Sequence, residues 1–243
     1  MLSRKEQKFI KSLKVKKYRT REKCFLVEGA KNVQELISSD FEVEMILGTE
    51  EYFSQNLKTG RYRNEIVSPD LLSQLGTFKT NEDVMAVAKM KDQKANALDF
   101  EDHIFVLDGV SDPGNLGTII RTLDWFGFKQ LICSPECAEF YNPKVINSTM
   151  GSFTRLRVYT MDLNEFYNSN NLPVYAADME GKALQSLNVE SPVVMVMGSE
   201  SNGISQTTIN SLDGKITIPR YGKAESLNVG IATGIIAGYL RMS

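Results

Sequence analysis

Three stretches of this chain combine glycine with polar side chains in patterns that could hold and act on a ligand. The first runs Asp108-Gly109-Val110-Ser111-Asp112-Pro113-Gly114-Asn115-Leu116-Gly117 and continues Thr118-Ile119-Ile120-Arg121. The second is Met197-Gly198-Ser199-Glu200-Ser201-Asn202-Gly203. The third leads from Ile218-Pro219 through a glycine-containing loop to Ser226-Leu227-Asn228. Arginine offers a planar fork that grips phosphate in a bidentate manner, and its pKa above about 12 makes it a poor base. Asn115 suits a turn or the orientation of a neighbour. Glu200 suits a partner for Arg121, a tie to the third loop, or a helix-start charge. Ser226 and Asn228 are sound helix caps on their own account.

Other chemistries are excluded by what is missing. There is no GxGxxG and no GxxxxGK[ST], so the usual phosphate cradles of dinucleotide and nucleoside-triphosphate enzymes are absent. The one histidine, His103, cannot supply a histidine-rich metal site and reads as structural or surface. Cys24, Cys133 and Cys137 are too few and too scattered for a disulfide framework or a four-ligand zinc site. No metal is expected, and the free thiols suggest a reducing, cytoplasmic setting.

The elements that position these loops follow from patterning. IFVL at 104–107 and PVVMVM at 192–197 read as buried strands that run directly into the first two loops. Further strands are expected at 131–133, 156–159, 174–177 and 216–218. Helical patterns lie between them at 118–126, 143–150, 164–168, 205–211 and the chain end. Such alternation predicts a mostly parallel sheet covered on both faces, with a ligand site at the carboxyl ends of its strands. In the last helix Ser226, Gly230, Gly234 and Gly238 recur every four residues on one face. Each glycine costs about 0.5–1 kcal/mol there, so a helix, a strand or a ligand must approach closely. The apolar run, about 15 residues, is short of the about 20 needed to span a membrane.

A polar stretch at 89–102 marks a boundary. Before it, strands at 24–27, 43–47, 66–67 and 84–88 alternate with helices at 4–13, 30–37, 50–57 and 69–75, which predicts a small α/β domain over residues 1–95. Residues 103–243 form the second domain. No signal peptide is expected, because the first residues are charged throughout and lack an apolar core. Net charge is only −2, but the first 23 residues hold ten Lys/Arg and two acids, a local +8 that leaves −10 for the rest. A basic arm on an acidic body suits a phosphate backbone, with Arg4, Lys5, Lys8, Arg19 and Arg21 as candidate RNA contacts. A solvated, frayed terminus is the alternative.

The three loops resemble the signature motifs of the SpoU/TrmH family, RNA 2′-O-methyltransferases of the SPOUT superfamily. Asn115, Gly117 and Arg121 carry the NxGxxxR motif. Gly198, Glu200 and Gly203 carry the second, and Ile218-Pro219 with Ser226-Leu227-Asn228-Val229-Gly230 the third. The match covers about 140 residues, in the right order and separation. The N-terminal part, best at Phe25–Ala30 (FLVEGA), resembles the family's substrate-binding extension and RNA-binding ribosomal proteins. The resemblance implies S-adenosylmethionine (AdoMet) as methyl donor, a C-terminal trefoil knot and a homodimer with the site near the subunit interface. It also implies cofactor contacts at Met197, Gly198, Ile218, Pro219 and Leu227, and a reaction centre of Arg121, Asn115, Glu200, Ser226 and Asn228. Ribosomal RNA is the expected substrate. A transfer-RNA substrate, methylation of a base nitrogen, and a non-catalytic RNA-binding or assembly factor are the alternatives.

Overall fold

The structure, a computed structural model, describes residues 2–56, 59, 62–78, 83–92, 98–187 and 191–242. Leu57, at the end of one expected helix, and residues 93–97 of the expected boundary lie outside them. In chain order the first elements are α1 (Arg4–Ser12), α2 (Lys16–Glu22), β1 (Cys24–Glu28), α3 (Ala30–Ile37), β2 (Val43–Gly48), α4 (Glu50–Gln55), β3 (Asn64–Ile66), α5 (Pro69–Leu75) and β4 (Val84–Lys89). Then follow β5 (Ile104–Asp108), α6 (Pro113–Trp125), β6 (Gln130–Cys133), α7 (Pro143–Ser148), β7 (Arg157–Thr160) and α8 (Leu163–Ser169). The chain closes with β8 (Val174–Ala183), β9 (Val194–Gly198), α9 (Gln206–Ile209), β10 (Gly214–Thr217) and α10 (Val229–Met242).

Two compact units result, Met1–Asp92 with Glu139–Arg155, and Gln93–Ala138 with Leu156–Ser243. In the first, the sheet order is β1-β4-β2-β3. Alternation along the strands sends Cys24, Leu26, Met45, Leu47, Met85 and Val87 to one face, where Ile10 and Leu13 of the N-terminal helical segment and Leu72 and Leu75 of α5 cover them. On β1 the intervening Phe25 stacks with Tyr141 (ring centroids 4.7 Å apart) and Phe153 (6.1 Å), both from the segment that joins this unit late in sequence. All five β1 residues are buried as a consequence. The N-terminal segment is thus helical, closed by a Ser3–Glu6 capping box, with Ile10 fully buried.

In the second unit the sheet order is β10-β8-β9-β5-β6-β7, and every pairing is parallel. The expected parallel α/β sheet is therefore present. β8 is longer than its apolar pattern, because Lys182 and Ala183 pair with Ile216 and Thr217 after a register shift. Gly181 permits it: a Cβ there would lie 2.6 Å from the Ile216 Cα. α6 starts five residues earlier than its apolar run, since the Asp112 carboxylate caps it and Pro113 takes the first turn. The glycine face of α10 lies on α6: Cβ positions built at Gly230, Gly234 and Gly238 would meet Thr118, Thr122 and Phe126 at 3.3, 3.4 and 3.2 Å. The close neighbour foreseen from glycine spacing is a helix.

Candidate active site

The carboxyl ends of β9 and β10, with the middle of β8 at Ala177–Met179, open into a cavity of about 540 Å³. Its wall includes Met197 and Gly198 from β9, Ile218 and Pro219 after β10, and Ser226 and Leu227 before α10. All five expected cofactor contacts line it. Leu227 is 47 % exposed, so it is a wall residue and not part of the core.

Each loop is shaped by local chemistry. Ser199 and Gly203 exchange two backbone hydrogen bonds (2.9 and 3.0 Å), leaving Glu200-Ser201-Asn202 as the tip of a turn. Gly203 has φ +65°, and a Cβ on Gly198 would approach the Gly203 carbonyl carbon to 2.6 Å, so both glycines are required for this turn. Behind it lies a carboxylate that the sequence motifs do not flag. Asp108, buried at the end of β5, accepts from the Ser205 backbone N–H (2.7 Å) and from Thr208 Oγ1 (2.7 Å). The Thr208 hydroxyl lies 3.0 Å from the Tyr167 hydroxyl, whose pKa burial pushes up to about 12. An acid closing the buried run IFVL was the available signal.

The three loops meet at Asn115. Its Nδ2 donates to Glu200 Oε1, and its Oδ1 accepts from Asn228 Nδ2 at 2.9 Å. Asn228 in turn caps α10, its Oδ1 accepting from the backbone N–H groups of Gly230 (2.9 Å) and Ile231 (3.3 Å). Asn115 stands in the first turn of α6 and not in an open loop. Ser226 caps nothing; it lines the cavity as an exposed residue. Glu200 binds Asn115 and does not pair with Arg121. Arg121 lies two turns inside α6, exposed, without a hydrogen-bonding or ionic partner among the described residues, and outside the cavity wall. At the rim, the Lys215 ammonium, 2.7 Å away, holds the Asp178 carboxyl below its ordinary range, so Asp178 lines the cavity as an ion-paired carboxylate.

In the first unit Arg4, Lys5, Lys8 and Arg21 are exposed. A groove between α1 and α2 is lined by Lys5, Lys8, Lys11 and Arg21 beside Phe9 and Tyr18, with the Arg21 guanidinium 4.9 Å from the Tyr18 ring centre. Arg19 is a correction. It is 2 % exposed, paired with Glu139, and donates to the Leu13 carbonyl at 2.8 Å, so it is spent inside the unit and cannot reach RNA. His103 is structural: its buried Nδ1 accepts from the Val193 N–H at 3.2 Å, and burial lowers its pKa. Among the described residues no carboxylate, thiol and imidazole cluster could hold a metal ion, and no helix is long and apolar enough to cross a membrane.

The arrangement has clear relatives. Residues 102–238 match the SpoU rRNA Methylase family, and residues 5–92 match the MRM3-like substrate binding domain. The chain is 31% identical over 236 residues to the 23S rRNA (guanosine(2553)-2'-O)-methyltransferase RlmP of Bacillus subtilis (strain 168), covering 95% of this chain and 94% of that one. It is 30% identical to a 23S rRNA (uridine(2479)-2'-O)-methyltransferase of Streptomyces viridochromogenes, covering 90% of this chain and 82% of the relative. A crystal structure of an AdoMet-bound rRNA methyltransferase from Sinorhizobium meliloti superposes with a TM-score of 0.88 at 25% identity, over 99% of this chain and 96% of that one. Three motifs joined at Asn115, a family match over more than half the chain and a full-length relative lead to one conclusion: this chain belongs to the SpoU rRNA methylase family.

Proposed function

We propose that this protein transfers a methyl group from AdoMet to a ribose 2′-hydroxyl of ribosomal RNA. The observation that carries the reading is the Glu200–Asn115–Asn228 bridge beside the cavity, which draws the three motifs into one place.

The cavity fits a nucleoside-sized cation. Its volume of about 540 Å³ falls within the usual range for small-molecule sites. Ile218, Leu227 and Met197 give it apolar walls, and the Glu200 carboxylate and the Lys215-paired Asp178 carboxylate stand in its lining. Any side chain at Gly198 would close on Gly203, so main chain forms that edge. Met197, Gly198, Ile218, Pro219 and Leu227 would hold the donor, largely through backbone groups. When bound, AdoMet supplies an electrophilic methyl group on sulfur. Glu200, Asn115 and Asn228 keep the second and third loops in register, and Ser226 stands free to meet the acceptor ribose. Arg121 grips the RNA phosphate beside the target hydroxyl, and the hydroxyl proton passes to that phosphate or to water.

Arg121 stands outside the wall formed by its own chain, so the reading includes a homodimer in which Arg121 of one copy serves the cavity of the other. Exposed Trp125, Ile231 and Ile235 on α6 and α10 support such an interface. The reading also includes a trefoil knot at the C-terminal segment, supported by the glycine-mediated seating of α10 on α6. Residues 1–95 act as the RNA-binding domain through Arg4, Lys5, Lys8 and Arg21, and residues 103–243 as the methyltransferase domain, except that Glu139–Arg155 fold with the first unit and not, as the sequence suggested, with the second. Free thiols favour the cytoplasm.

The test is methyl transfer from labelled AdoMet to total RNA of a strain lacking the gene, followed by nucleoside analysis. A labelled 2′-O-methylnucleoside in the ribosomal fraction is the expected result. Label in transfer RNA or in a base would replace the substrate or the chemistry. AdoMet binding without transfer to free RNA or ribosomal precursors would favour a non-catalytic RNA-binding factor.

A further inference from the structure

The loop between Pro219 and Ser226 carries a feature that holding AdoMet does not require. Tyr221 lines the cavity, yet it is 97 % exposed, the most exposed large apolar side chain described. Its presentation is built. Arg220 folds back and donates from Nη1 to the Ala224 carbonyl at 3.3 Å, which closes a short bend and leaves Tyr221-Gly222-Lys223 at its tip. A Cβ added at Gly222 would meet nothing within 4 Å, so the tip of the bend stands in open space. Arg220 and Lys223 are both exposed beside it. An aromatic face left in water between two cations, at the mouth of a cavity, is the combination that takes single-stranded nucleic acid: the ring stacks on a base and the cations meet its phosphates.

We infer that Tyr221 is a stacking platform for a nucleobase at or next to the methylated nucleotide, a positioning residue that brings the ribose to the cavity mouth. This rests on the proposed RNA methyl transfer and adds the contact that orients the acceptor. Stacking needs the ring and not the hydroxyl, so Tyr221→Phe keeps it and Tyr221→Ala removes it. Because every base has a π face, the contact selects an unstacked nucleotide and not a particular base.

The first arm is steady-state methyl transfer to an unmodified 23S rRNA transcript by the full chain. Tyr221→Ala should raise the KM for RNA about tenfold or more, while Tyr221→Phe stays within about twofold. Calorimetry should show the AdoMet dissociation constant within about twofold in both. An unchanged RNA KM in Tyr221→Ala, a loss in Tyr221→Phe equal to that in Tyr221→Ala, or a shift confined to AdoMet binding would overturn the inference. The second arm does not depend on turnover. Tyr221→Trp adds a second indole, at the loop tip, read against the parent, whose single Trp125 supplies the background emission. Saturable quenching of the added emission by the same transcript is expected, and added emission left unquenched at RNA concentrations that saturate binding would refute stacking. Quenching without turnover in the unaltered chain would count against the methyl-transfer reading and leave the platform standing.

Discussion

Asn115 is the residue on which the site turns, because its amide faces a carboxylate on one side and another amide on the other. Asn115→Asp would set two carboxylates against each other. It should lower stability by about 1–2 kcal/mol and weaken AdoMet binding. Adding Glu200→Gln restores a donor–acceptor pair of opposite sense, so the double variant should recover most of the loss; thermal unfolding of the four proteins measures the coupling directly. Arg121 behaves differently, since it is exposed and has no hydrogen-bonding or ionic partner among the described residues. Arg121→Ala should fold normally and bind AdoMet within about twofold of the parent. Methyl transfer should fall by about a hundredfold or more, as when a charge-stabilising donor is removed. Transfer retained to within a few-fold would remove Arg121 from the reaction.

At the scale of elements, glycines that look alike in sequence do different things. Gly181→Ala drives a methyl group into the Ile216 backbone, so β8 and β10 must part below the cavity, with an expected loss of about 1–3 kcal/mol and of AdoMet affinity. At Gly234 a Cβ meets only the Thr122 methyl at 3.4 Å, and the better helix propensity of alanine should make Gly234→Ala neutral or stabilising by up to about 1 kcal/mol. Urea unfolding of both variants separates the cases. The α10 stripe and the alternation of strands and helices were legible in sequence, because both rest on local periodicity. The extension of β8 was not: Asp178–Ala183 (DMEGKA) is polar, and it becomes strand only by pairing with β10 some thirty residues later. The start of α6 was misjudged because its first turn holds Pro113, Gly114 and Asn115, which read as turn formers until Asp112 is seen capping them.

Across the molecule, basic residues that sit together in sequence divide into two kinds. Arg19 was indistinguishable from its neighbours because its partner, Glu139, stands 120 positions away. Glu139→Ala strands a buried guanidinium and should cost the first unit about 3–5 kcal/mol, read by calorimetry. Removing Arg4, Lys5 and Lys8 together should leave stability nearly unchanged. It should reduce the slope of log binding constant against log salt concentration by about 2–3 in RNA titrations. A slope equal to that of the parent would free the N-terminal helices from any part in RNA binding.

The late arrival of Glu139–Arg155 in the first unit bears on how the protein is made. Phe25 waits for Tyr141 and Phe153, and Arg19 waits for Glu139, so the amino-terminal core stays unfinished when residue 92 leaves the ribosome. At translation rates of about 5–20 residues per second, the missing pieces follow after on the order of several seconds. During that interval Phe25 lacks the Tyr141 and Phe153 rings that pack against it in the finished unit. A stop codon placed at the apparent domain boundary would make that lack permanent.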